Sequence, residues 1–382
     1  MTWTKPLLQW GNFKKSAEEP KIMRFETNKG NVMTKGIMLA LLSLVAIAGA
    51  GLGVQALREH HGAVHESKAP AKGITDLQLY QMIAKRVSEG DGYYQAATSL
   101  QRKNDYPVKP FYSVRMPTLA WLMEMTAPKG AWFLLLGMLA STMAAWGLRL
   151  RREPLTAACL MIAIGTACST YMLDPDIAYS HEVWAGLLMA LSLALAGGRT
   201  WALAAGAGLG AILFREIALP FAFVMMASAI GMKRRTEAWA WVAVILSSAV
   251  LITLHAQAVA TQVMDGDPTA RSFGGLNGPA YAMEAILKAH NLHEGTWPAF
   301  GSVVILALLG WASRKDVTHR RVFAVQAGYA VLLAVYAERM NFYWIYMVTP
   351  LLMPGIVIGI RPLWDGLRRG GRLAPERELG KL

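Results

Sequence analysis

The residues equipped for chemistry lie in one polar, aromatic-rich stretch, Thr75 to Trp121, and in three short polar turns between apolar blocks. The stretch holds Asp76, Tyr80, Tyr93, Tyr94 and Arg115. The turns hold Asp174-Pro175-Asp176 with Tyr179, His181 and Glu182, then Arg215-Glu216, then Glu338-Arg339-Met340-Asn341-Phe342-Tyr343-Trp344. Guanidinium forks match phosphate oxygens, and an Asp-x-Asp pair offers oxygen ligands to a divalent ion. No nucleophile triad, Walker loop or dinucleotide fingerprint accompanies them.

The elements that must position these groups are membrane helices. Apolar residues make up 54% of the 382 and charged residues 16%, and the apolar ones come in long blocks, as in an integral membrane protein. The predicted architecture is all-α and polytopic, with about ten spans near 36–57, 131–148, 155–173, 182–197, 201–214, 217–232, 238–256, 298–312, 322–337 and 342–360. An even number of spans returns both ends to one side. With the N-terminus inside, 24 of the 38 Lys and Arg fall on the cytoplasmic side, and every short inner connection is basic, as the positive-inside rule requires. The net charge of +13 is therefore a topology signal, and no nucleic-acid partner is implied.

The transmembrane region, 36–360, is expected to carry two long outer loops, 58–130 and 257–297. It is flanked by cytoplasmic tails at 1–35 and 361–382. The N-terminal tail lacks the apolar core of a cleavable signal; Met33 offers an alternative start, so residues 1–32 are given no functional weight. The C-terminal tail is basic and suited to an anionic inner leaflet. In the first loop, Leu77, Tyr80, Ile83, Ala84 and Val87 recur at helical spacing, predicting an amphipathic helix over Asp76–Glu89 with Thr75 or Asp76 near its N-cap. A second short helix is predicted from Tyr93 to Leu100. The second loop has a Gly-rich centre, expected to be mobile and able to fold over a ligand, and a helical portion from Ala280 to His290. His60, His61 and His65 form a histidine cluster whose default reading is a solvated loop. Cys159 and Cys168 fall within one span and cannot bridge each other.

The spans 201–214 and 217–232 are short. At 1.5 Å per residue they cover about 21 to 24 Å against a hydrocarbon thickness of about 30 Å, so the turn at Arg215-Glu216 is expected to be recessed. Charges at that depth are functional candidates.

A span, a large outer loop opening with Asp76-Leu77-Gln78-Leu79-Tyr80, a break at Gly90, the pair Tyr93-Tyr94, and Arg115-Met116-Pro117-Thr118-Leu119 entering the next span: this layout resembles the multi-spanning GT-C glycosyltransferases, in particular the polyprenyl-mannose-dependent branch. The resemblance implies a bacterial inner (cytoplasmic) membrane enzyme that moves a sugar from a polyprenyl-phosphate donor to an envelope lipid or glycan acceptor on the outer face. It implies a carboxylate base and cationic groups for the departing phosphate. Asp76 is the candidate base, or else a helix cap. Arg215, Arg115 and Arg339 are candidates for the phosphate, and Tyr80, Tyr94, His181, Glu182, Glu216, Asn341 and Tyr343 for sugar or acceptor. No cofactor is specified by the residues, and metal dependence is left open, with Asp174 and Asp176 as the candidates for a divalent metal. No soluble C-terminal domain is expected from this sequence, which leaves the acceptor open. The alternatives are a secondary transporter or lipid-linked-glycan carrier, marked by broken helices in paired halves, and a glycan polymerase or ligase, in which the long loop usually comes late.

Overall fold

A computed structural model describes residues 43–44, 46–61, 73–270, 275–290 and 292–360. The tails 1–35 and 361–382, with Met33, and His65 lie outside the described residues. The fold is all-helical: among the described residues the only strand-like pairing is an isolated bridge between Lys109 and Thr269. In order, the helices are α1 (46–61), α2 (Asp76–Ser88), α3 (Tyr93–Lys103), α4 (Thr118–Arg149), α5 (Leu155–Ala167), α6 (His181–Leu195), α7 (Trp201–Phe214), α8 (Leu219–Gly231), α9 (Arg235–Ala260), α10 (Gly278–Ala289), α11 (Trp297–Ala312), α12 (Val317–Val335) and α13 (Thr349–Leu352).

The all-helical, membrane-type architecture holds, and fewer than ten of the described helices meet the length and hydropathy expected of a span on their own. Among the described residues, three helices are long and apolar enough to cross a membrane alone: Phe111–Arg149, Arg235–Ala260 and Glu294–Ala312. The pair Arg339–Met347 and Thr349–Ile360, bent by 59°, is a fourth if counted as one span. Four further apolar helices, Leu155–Ala167, His181–Leu195, Trp201–Phe214 and Glu216–Gly231, are shorter. The apolar blocks are where the sequence places them, but turns consume their ends. The block at 155–173 stops being α-helical at Ala167 and finishes in 3-10 turns. Within the loop read as 58–130, α4 already starts at Thr118 and passes through a break at Ala127 (φ 56°) before Pro128.

The connections read as cytoplasmic meet one another. Arg149 at the end of α4 donates from Nε to Thr318 of α12 at 3.1 Å, and Arg314 pairs with Glu153 at 3.3 Å. Arg321 and Arg234 share the buried carboxylate of Glu237 at 2.7 and 3.2 Å. At the other ends of these helices gather α2, the 175–179 turn, Arg115, and the 215–216 and 339–347 turns. The alternation of basic and non-basic connections thus reappears as two separate charged clusters.

The loop helices form their own small core. Leu79, Ile83 and Val87, spaced four apart on α2, are buried with Tyr93, Ala96, Ala97 and Leu100 of α3 and with Val259 of α9, so the apolar stripe seats the pair on the bundle. The second loop is tied down at its start: Asp267 pairs with Arg102 of α3, and Val108 N–H donates to the Pro268 carbonyl at 2.9 Å. The loop is thus anchored up to Ala270, ahead of the Gly-rich centre expected to move; 271–274 lie outside the described residues. On α6, a Cβ at Gly186 would stand 2.5 Å from the Tyr346 carbonyl. Glycine there lets the 339–347 segment lie directly against α6.

Candidate functional site

Thr75, not Asp76, caps α2. Its hydroxyl accepts from Gln78 N–H while the Gln78 side chain accepts from Thr75 N–H, a complete capping box. Asp76 is the first helical residue and is partly buried. The Tyr106 hydroxyl donates to the Ile74 carbonyl at 2.8 Å and stands beside the Asp76 carboxylate; burial first, and that charge second, push its pKa up. Tyr80 and Tyr343 are also within electrostatic reach of Asp76.

One turn along α2, the Tyr80 hydroxyl accepts from Arg115 Nε at 3.1 Å. Burial raises the Tyr80 pKa to about 12, so the group is a neutral hydroxyl whose proton can be donated. Arg115 also donates to the Tyr112 carbonyl at 3.1 Å and stands 4.0 Å from Glu216. Its backbone carbonyl accepts from the Tyr93 hydroxyl at 2.6 Å. Tyr94 is committed elsewhere. His255 Nε2 faces the Val114 carbonyl at 2.9 Å, so that nitrogen carries the proton, and Nδ1 accepts from the Tyr94 hydroxyl at 3.2 Å. Tyr94 therefore holds α3 to α9.

Arg215 is 2% exposed. Its Nε donates to Glu182 Oε1 at 2.6 Å, its Nη1 contacts Glu216, and its guanidinium lies 5.9 Å from the centre of the Trp344 ring. Two carboxylates already neutralise it, so Arg215 positions Glu182 and Glu216 and is poorly placed to receive a phosphate. Arg115, with one contact to a carboxylate at the edge of ion-pairing range, is the better oxyanion partner. His181, the first residue of α6, meets the Tyr80 ring edge-on at 4.6 Å. Its Nδ1 and Glu216 Oε2 are buried with no hydrogen-bond partner among the described residues. Tyr343 donates to Asn341 at 3.2 Å and faces Arg115, Tyr80 and Glu182 electrostatically.

Asp76, Tyr80, Arg115, His181, Glu182, Arg215, Glu216 and Tyr343 thus form one cluster. Arg339 belongs to a different network, donating to Glu284 at 3.1 Å and Glu59 at 2.9 Å. There His60 bridges Glu284 and Glu294 at 3.2 and 3.1 Å, and His61 reaches Glu294 at 2.6 Å. These contacts join α1 to α10 and to the start of α11. Asp174 caps the 175–179 turn and Asp176 accepts from Gln81 at 2.9 Å. Among the described residues, no group of three or more His, Cys, Asp or Glu is arranged to hold a metal. The buried Glu284 and His255 and the half-buried Tyr106 are parts of these networks that the sequence did not single out. Each lies in an ordinary helical or loop context, and its partner is remote in the chain.

No family model matches the chain, and neither the curated proteins nor the solved structures compared with it give a match.

Proposed function

We propose that the protein is a GT-C-type glycosyltransferase of the bacterial inner membrane, with both termini cytoplasmic. It moves a sugar from a polyprenyl-phosphate donor to an envelope lipid or glycan acceptor on the outer face. The observation that carries the reading is Asp76: relieved of capping by Thr75, partly exposed, and one helical turn from the Tyr80–Arg115 pair. In the reaction, the acceptor hydroxyl oxygen attacks the anomeric carbon as its proton passes to the Asp76 carboxylate. The bond from that carbon to the phosphate oxygen breaks, and the charge left on the prenyl phosphate is met by Arg115 and the Tyr80 hydroxyl. Arg215 keeps Glu182 and Glu216 in place.

The test is transfer by the purified protein in proteoliposomes, from a panel of polyprenyl-phosphate sugars to envelope lipid and glycan extracts, with anomeric configuration read by NMR. Inverted product supports the reading; absence of transfer from every donor removes it. The secondary-transporter alternative draws on the 59° break between Arg339–Met347 and Thr349–Ile360, since broken helices line transport sites. Uptake of a labelled sugar by the same proteoliposomes, without transfer, would favour it.

A further inference from the structure

Buried polar atoms almost always find partners, and each exception calls for a cause. The site contains two exceptions within electrostatic reach of each other. His181 is 4% exposed with Nδ1 unpartnered, and Glu216 Oε2 is likewise buried and unpartnered among the described residues. They belong to one assembly: Glu182, next to His181, binds Arg215 at 2.6 Å, and Arg215 contacts Glu216, the residue that follows it. Arg115, Arg215 and Glu216 are the charged groups that act on His181. Leaving such atoms unsatisfied costs about 1–3 kcal/mol each.

The type of orphan atom selects the ligand. Glu216, salt-bridged to Arg215, offers a carboxylate oxygen that only accepts, and His181 Nδ1 can accept or donate. A phosphate or carboxylate brought to Glu216 Oε2 would set two anions against each other in a desolvated place. A hydroxyl satisfies it, and a second hydroxyl or the same one satisfies His181. The site therefore divides into an oxyanion end at Arg115 and Tyr80 and a hydroxyl end at Glu216 and His181.

We propose that Glu216 and His181 are a hydroxyl-reading subsite that selects an uncharged sugar on the donor and rejects a uronic acid. The proposal rests on the donor reading above, and its test separates the two. The probes are a short-chain prenyl monophosphate, the same lipid carrying each of three epimeric hexoses, and the same lipid carrying a hexuronic acid. Binding is measured on the purified full chain in detergent, with thermal melting as the folding control. The wild type is expected to bind at least one hexose lipid about tenfold or more tightly than the bare monophosphate and the uronic acid lipid, the ratio of one charge-assisted hydrogen bond. Glu216→Gln and His181→Phe should both erase that preference; bare monophosphate binding should stay within about twofold in His181→Phe, and His181→Asn, which keeps a polar atom near Nδ1, should restore part of the preference.

An unchanged hexose preference in folded variants, or a uronic acid lipid bound as tightly as the hexose lipid, overturns the proposal. His181→Phe and His181→Asn involve no ion pair and carry the test should Glu216→Gln fail to fold. If no lipid phosphate binds but methyl hexosides bind the wild type and not the variants, the subsite stands and the lipid-donor reading falls. If neither class binds, both fall.

Discussion

Arg215 Nε stands 2.6 Å from Glu182 Oε1 across 33 residues of chain, with both side chains almost wholly buried. The bond joins the N-terminus of α6 to the turn between α7 and α8, so the polar floor of the site is fixed by an ion pair in place of apolar packing. Removing one partner strands the other. Arg215→Ala is expected to cost about 3–5 kcal/mol, measured as chemical denaturation in micelles. Arg215→Met combined with Glu182→Gln should recover part of the loss, and a double variant no better than the single one would contradict the pairing.

The two candidate phosphate ligands outside this pair separate by phenotype. Arg115 contacts Tyr80 within the site, whereas Arg339 contacts Glu59 and Glu284. Arg115→Gln is expected to weaken prenyl monophosphate binding by about 10- to 100-fold, the range for hydrogen bonds to a charged group. Arg339→Gln should leave that affinity within about threefold. It should instead loosen α1 by depriving the buried Glu284 of one cationic partner, at about 1–3 kcal/mol. Cysteine crosslinking between α1 and α10 checks the second part.

The anchor of the second loop responds to acid. The hydrogen bond from Arg102 holds the Asp267 carboxyl down at about 2, against about 3.9 in an unfolded chain. A carboxyl with a depressed folded-state pKa stabilises fully above the unfolded value, and the contribution is lost as pH falls through the folded one. Amide protection around 264–270 should therefore hold down to about pH 4 and decline towards pH 2. Arg102→Gln should lower protection at neutral pH and flatten this decline; a profile identical to the wild type would refute the anchor.

Gly186 tests the seating of the aromatic segment. An alanine Cβ there would meet the backbone of Tyr346 and Met347, pushing Tyr343 and Trp344 from the cluster. Gly186→Ala is expected to destabilise by about 1–3 kcal/mol, as overpacking does, and to alter tryptophan fluorescence. An unperturbed spectrum would show that the contact relaxes elsewhere.

Much of this arrangement is legible in the sequence where the signal is local. Ile83, Ala84 and Val87 announce α2, although Leu79 and not Leu77 completes its buried face, and the basic residues at 149–152, 233–235 and 314–321 identify connections that do cluster. Span number is less legible, because hydropathy marks an apolar block without saying where a 3-10 turn ends it, as at Ala167. The apolar block read at 131–148 is only the second part of α4, whose first part, from Thr118, runs into a break at Ala127. The ion-pair partners of Arg215 and Arg339 were not legible for a different reason. A guanidinium's function depends on its carboxylates, and Glu182, Glu59 and Glu284 lie far from these arginines in the chain.

The most direct test of sugar transfer at this site compares Asp76→Asn with the wild type. Both are matched for folding by melting temperature and for donor affinity by prenyl monophosphate binding, and both are assayed with the donor the wild type uses. The Asn keeps the shape and loses the proton acceptor, and Thr75 keeps the cap. Turnover is therefore expected to fall by about 10²- to 10⁴-fold with melting and binding unchanged. Transfer that survives the substitution would contradict Asp76 as the base.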